Sequence, residues 1–503
     1  MSKGARVWLP RILEYTYVVV WSTAIVALPI TSFPLLKKWS GASTVAPPTM
    51  ALFLLLALIW FVPYLLRCGK IPLEGRPLGY LIAAVGLSWA LSCFYNIPSY
   101  RGKSVLTEGP SALLTFSMAL AAYLIPAAYL SRKKEYIRLT LVLINISGAI
   151  LLGWSLVQGV FTLLLESRYP PVMLAIQQFF SSRLGSLIWA RVTGFAYEPS
   201  WLAHMLNMVY LPIWLASTFK KISVHRFRLW KVTIENVLLL AGIIVLFISI
   251  SRVGVLSFLT VVAYLLVVWL LRLARQASDK LARNKPALLT SPTRLRWVRL
   301  GLSVLFLTLL VTVFLFSGMG LVVVGARYDP RLQRLLEYNL LEANSFYEAT
   351  NMMAFAERVV YWAAGMDIFA GYPLLGVGLG NAGFYFPQKM PAYGWVLREV
   401  AVIFNYRPFL PNTKALWVRL LAETGLVGFG MMVAWLYVLW KSSKVTQSSS
   451  QPLLSMLGWS GQMVLISFIT EGFSIDSFAL PYFWFAMGLL SAAGMLVRED
   501  SHR

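Results

Sequence analysis

The sequence has little charge and almost no cysteine. Only 13% of its 503 residues are Asp, Glu, Lys or Arg, where a soluble domain carries about 25%. With 58% hydrophobic residues and a mean hydropathy of +0.70, the chain could not cover its surface in water. Lipid must be the solvent for much of it. Cys68 and Cys93 are the only cysteines, each in or beside an apolar segment and near opposite membrane faces. No disulfide between them and no metal-ligand spacing is expected. No small-residue cleavage site follows the basic start (Lys3, Arg6, Arg11), so the first apolar run reads as a retained helix. There is no internal repeat and no low-complexity tract.

What is present is a series of apolar runs, each near the roughly 20 residues that span a bilayer. They lie near 12–33, 48–66, 77–96, 111–131, 139–166, 199–219, 233–250, 253–271, 300–320, 415–440, 452–472 and 477–497. The expected fold is an all-α polytopic membrane protein of about twelve spans, one integral membrane domain over 1–503. Acidic residues are few, 20 against 44 Lys and Arg, so the net charge is +24. With the N-terminus inside, 27 of the 44 basic residues fall in segments on the cytoplasmic side. Both termini are then expected to be cytoplasmic, and the charge is explained by topology rather than by nucleic acid.

Two segments on the external side are too long for simple connectors, 167–198 and 325–411. Ordered loops of that size usually carry function. On the inside, 272–299 reads as a basic linker.

Three arginines fall at external helix ends. Arg191 precedes the sixth run, Arg252 sits in the turn between the seventh and eighth, and Arg358 lies in the large loop. Arginine at the membrane boundary is costly unless paired, and its fork suits phosphate oxygens. Any one of them alone reads more plainly as a snorkelling side chain or as a salt bridge to Glu198 or Glu357. Arg327, Arg331 and Arg334 would share one helix face, either simply solvated or guiding an anionic glycan or headgroup. Arg419 and Glu423, four apart, would pair. Lys414, at the mouth of the tenth run, could bind a phosphate or, if desolvated, act as a base. His204 and Asn207 read as an intramembrane hydrogen-bonding pair. Gly376-Val377-Gly378-Leu379-Gly380 lacks the strand–turn–helix setting of a dinucleotide loop and reads as a tight turn with close backbone packing.

Four segments in order resemble the O-antigen ligase and polymerase family of membrane glycosyltransferases. These are Arg191…Gly194…Glu198-Pro199, Ser251-Arg252-x-Gly254, Arg358 followed by Pro373-Leu-Leu-Gly-Val-Gly-Leu-Gly, and Glu423-Thr-Gly425-Leu-Val-Gly428. The resemblance implies a GT-C-like lipid-dependent glycosyltransferase of the cytoplasmic (inner) membrane. Such an enzyme uses an undecaprenyl-pyrophosphate-linked glycan donor on the external or periplasmic face, with no metal or nucleotide cofactor. The acceptor would be a second lipid-linked glycan, and a chain-length regulator is an implied partner. Arg191, Arg252 and Arg358 would hold the donor pyrophosphate, with Glu198, Lys414 or no residue as base. Arg327, Arg331, Arg334 and Arg419 would be substrate-binding. One departure matters. Aligned on Glu423-Thr-Gly425, Lys414 stands where many members, the ligases especially, have a histidine. That favours an inverting polymerase in polysaccharide and lipopolysaccharide biosynthesis over an O-antigen ligase. A secondary transporter or flippase, the alternative from another class, should instead carry its ionisable groups near the membrane midplane.

Overall fold

The computed structural model describes residues 3–40, 45–67, 69, 71–183, 187–188, 191–284, 355–406 and 410–501, with scattered positions between 293 and 351. Arg327, Arg331 and Arg334, Cys68 and most of the 300–320 run lie outside the described residues.

The chain is mostly helical. The helices are α1 Lys3–Val26, α2 Pro34–Ser40, α3 Pro48–Leu66, α4 Arg76–Ser92, α5 Val105–Leu130, α6 Lys134–Leu164, α7 Pro171–Phe180 and α8 Pro199–Lys220. They continue with α9 Ile234–Ile248, α10 Arg252–Asn284, α11 Ala356–Gly371, α12 Ala382–Lys389, α13 Arg398–Tyr406, α14 Leu416–Gln447, α15 Pro452–Glu471 and α16 Tyr482–Ser501. A two-residue hairpin, β1 Arg228–Leu229 with β2 Val232–Thr233, sits between α8 and α9. Among the described residues α3, α5, α6, α8, α10, α14 and α15 are long and apolar enough to cross a membrane.

Proline marks several of these elements. Pro48, Pro171, Pro199 and Pro452 open helices at the first position, where a missing N–H costs nothing. Pro63 and Pro212 fall inside α3 and α8. Each is preceded by a π-turn, Ala57–Phe61 and Leu206–Tyr210, because proline cannot donate the regular helical bond. The periodic apolar pattern ends near 271, yet α10 continues to Asn284. The added stretch, QASDKLARN, is rich in helix formers, and Pro286 follows it.

In the bundle α14 and α15, α4 and α14, and α8 and α10 with α15 run in opposite directions, while α5 and α16 lie side by side in the same direction, Phe116 meeting Phe478 and Tyr123 meeting Ser491. Trp21, Trp214 and Trp435 are fully buried in its core. The outer faces are apolar too: α10 is the most hydropathic candidate span and among the least buried. That inversion is the mark of a helix solvated by lipid. A separate small core joins α11–α13 through Val360, Tyr361, Phe386, Val400 and Phe404. It sits at the end of the bundle where α14 begins.

Candidate active site

The loop from Arg191 to Glu198 is held by two buried glutamines. Gln158 accepts from the amides of Thr193 and Gly194 (3.2 and 2.9 Å). Gln177 donates to the Gly194 carbonyl (2.9 Å), and Gln158 donates to Gln177 (3.0 Å). Gly194 has φ +57°, a conformation that a side chain would oppose. The loop thereby delivers Arg191 to the end of α9. Its Nε and Nη2 donate to the carbonyls of Ser249 (3.2 Å) and Ile250 (2.8 Å), groups that a helix end leaves unsatisfied. The turn so braced places Arg252 at the first position of α10, the end of a helix dipole that disfavours a cation.

The second half of the site forms around the segment 471–478, between α15 and α16. Arg358, in the first turn of α11, donates from Nη1 to the carbonyls of Ser474 (2.9 Å) and Lys414 (3.2 Å). Among the described residues its other guanidinium nitrogens make no hydrogen bond and no carboxylate lies within ion-pair distance. Burial pulls its pKa below the ordinary arginine value, and Asp476, Glu399, Glu198 and Glu357 push it back up. Glu198 is thus part of the same electrostatic neighbourhood as Arg358. It sits before α8, where its carboxylate accepts from Ser200 (3.2 Å).

Lys414 adopts φ +57°, a left-handed backbone that is uncommon for a residue with a side chain. Its amide donates to Asp476 Oδ2 (3.1 Å), its Nζ to Glu399 (2.7 Å), and its ammonium lies 5.6 Å from the centre of the Tyr361 ring. Arg419, one turn into α14, is paired with Glu423 (2.9 Å) and donates to the Asp476 carbonyl (2.7 Å). Asp476 therefore ties Lys414 and Arg419 together through different atoms.

The glycine run 376–380 is packed against α14. Val377 and Gly378 donate to the carbonyls of Ala422 and Glu423 (3.0 and 2.9 Å), and Leu426 and Val427 donate back to Pro373 and Leu374 (2.8 and 3.1 Å). Gly425 breaks the helix at that contact with φ +63°, and a Cβ there would collide with the Leu374 carbonyl. The Gly376 amide donates to the Tyr372 carbonyl (3.1 Å), so the amides of Gly376, Val377 and Gly378 are all engaged and not open to a phosphate.

Of the residues singled out in the sequence, Arg358, Lys414, Arg419 and Glu198 come together around segment 471–478. Arg191 and Arg252 share one braced turn at the same end of the bundle. His204 and Asn207 both contact a residue the sequence reading passed over, Glu471, at 2.5 and 2.6 Å. Asp476 and Glu399 were also passed over. A signal existed for Glu471: an ionisable residue inside an apolar run is itself a pointer to function. No protein-family model matches the chain, and no curated protein matches it either.

Proposed function

We propose that this chain is an inverting glycosyltransferase that polymerises undecaprenyl-pyrophosphate-linked oligosaccharide repeat units. In this reading it has twelve spans and a GT-C-like architecture, with both termini cytoplasmic and the arginine-bearing end on the external face of the cytoplasmic membrane. An acceptor sugar hydroxyl attacks the anomeric carbon of the donor glycan, and lipid pyrophosphate leaves from the opposite side.

The observation that carries this reading is the guanidinium of Arg358. It is held in place by two backbone carbonyls through one nitrogen, with no carboxylate in contact among the described residues. A partly desolvated cation without a contacting anion is expensive, and an anionic ligand relieves that cost. The remaining face of the fork suits the two oxygens of a phosphate. Fixed cations at a low-dielectric boundary stabilise the charge that develops on a departing pyrophosphate without reorganising. Lys414 supports polymerisation over ligation, since an ammonium engaged by Glu399 is a charge donor rather than a base.

The test is direct. Purified protein is given a lipid-linked repeat unit as its only substrate, and the product is resolved by size. A ladder of longer lipid-linked chains is expected. A ladder that forms only after a lipid A-core acceptor is added replaces polymerase with ligase, and no transfer to either acceptor overturns the glycosyltransferase reading.

A further inference from the structure

The reaction needs a home for the proton of the attacking hydroxyl, and in the cationic cluster Lys414 is held by Glu399 and Arg419 by Glu423. Behind segment 471–478, however, lies a buried dyad. Glu471, the last residue of α15, binds His204 of α8 through Nδ1 at 2.5 Å, with side-chain exposures of only 2% and 5%. The second carboxylate oxygen accepts from Asn207 Nδ2 (2.6 Å), whose amide also donates to the Gly254 carbonyl (2.8 Å). Among the described residues Asn207 Oδ1 has no hydrogen-bond partner, and it is buried.

Both members of the dyad line a cavity of about 20 Å³, together with Phe468, Ser477, Phe478 and Trp484, enough for about one water. The cavity shares its wall with the cationic cluster. Ser474 and Asp476 accept from Arg358, Lys414 and Arg419 on one side, while Ser477 and Phe478 face the cavity on the other. Gly472, also in the wall, accepts from the Leu416 amide (2.7 Å).

We infer that His204, oriented by Glu471, is the proton acceptor of the transfer reaction. This rests on the glycosyltransferase reading above. A carboxylate on Nδ1 fixes that nitrogen as the protonated one and leaves Nε2 as the base. As the acceptor oxygen bonds to the anomeric carbon, its proton passes to Nε2 through one water in the cavity. The bond from that carbon to the pyrophosphate oxygen breaks, and its electron pair departs with the pyrophosphate. Glu471 is a positioning residue that also stabilises the imidazolium. Asn207 fixes Glu471 and, through Gly254, links the dyad to the turn bearing Arg252. The titratable groups facing His204 are Glu471 and Tyr482, whose ring meets the imidazole edge-on at 5.8 Å. Arg358, Lys414, Arg419 and Asp476 lie behind the shared wall.

The chain has only three histidines, His204, His225 and His502, so nitrogen-15 histidine NMR of the detergent-solubilised protein can read the dyad without any activity assay. A His204 ring carrying its proton on Nδ1 is expected, and Glu471→Gln should abolish that fixed tautomer. In the ladder assay His204→Gln should slow transfer about 10²-fold and remove the acidic limb of the pH–rate profile. Thermal protection by undecaprenyl pyrophosphate should persist. A ring protonated on Nε2, or a folded His204→Gln protein with the wild-type rate and pH profile, overturns the base role and leaves glycosyl transfer standing. Wild-type protein that makes no ladder overturns both, a distinct result. Should His204→Gln fail to fold, the tautomer and the Glu471→Gln rate decide.

Discussion

Arg358 and Arg498, at the two ends of the bundle, are held in opposite ways. At the end where α4 begins and α16 finishes, the buried charge is saturated. Buried Glu74 takes both terminal nitrogens of Arg498 (2.8 and 3.0 Å) and the Ser442 hydroxyl (2.6 Å). Lys134 pairs with Asp500 (3.0 Å), and Arg132 lies among the rings of Trp60, Tyr129 and Tyr136. At the other end Arg358 rests, among the described residues, on two backbone carbonyls, while Lys414, in a left-handed backbone, pairs with Glu399 and Arg419 with Glu423. Saturated pairs hold a structure together. A cation held on carbonyls, with no carboxylate in contact among the described residues, is what a binding site for an anion requires.

The largest effect that could break this comparison is topological. The arginine-bearing end should be external and the saturated end cytoplasmic. In protein whose own cysteines are replaced, an impermeant thiol reagent applied to intact cells should label Trp395→Cys and leave Asp279→Cys unlabelled. The reverse pattern would place the candidate site on the cytoplasmic side and remove the proposed reaction.

Next come the two arginines that define the contrast. Arg358→Ala should lower polymerisation by about 10²–10³, the loss expected for one fixed donor to a developing anion, with little change in thermal stability. Arg498→Ala should do the converse. It strands the buried carboxylate of Glu74 and should cost about 1–3 kcal/mol of stability, read by thermal unfolding in detergent, while the rate per folded molecule stays near wild type. If both variants lose stability alike and neither loses rate selectively, the two ends do not differ in kind.

How far the sequence showed this division follows from the physics of each signal. Spans are legible because a bilayer demands long apolar runs, and α3, α5, α6, α8, α10, α14 and α15 coincide with expected ones. The arginines were visible as charges at the edges of those runs, and the Arg419–Glu423 pair from its spacing of four. The partners were not visible. Asp476 meets Lys414 across 62 residues and Glu471 meets His204 across 267, separations that no local pattern encodes. The end of α10 was misplaced because polarity, which ends a membrane span, does not end a helix. The role of Gln158 and Gln177 in shaping the Arg191 loop also escaped, since buried amides in apolar helices look like ordinary interhelical bonds.

The finest distinction concerns Lys414, where charge and backbone can be separated. Its Nζ is partly exposed and engaged by Glu399 (2.7 Å), so its contribution to binding a leaving phosphate is smaller than that of Arg358. Lys414→Arg keeps the cation and cannot deprotonate near neutral pH, so it should retain most of the ladder-forming rate. Lys414→Ala should lower the rate several-fold, consistent with about 1 kcal/mol for a half-exposed charge. Lys414→Gly removes the same cation and also relieves the φ of +57°, which should make it about 1 kcal/mol more stable than Lys414→Ala. Equal rates with unequal stabilities would show that the strained backbone serves placement and the ammonium serves charge. An inactive Lys414→Arg beside an active Lys414→His would instead make Lys414 the base, and the proton path through His204 would then have to be abandoned.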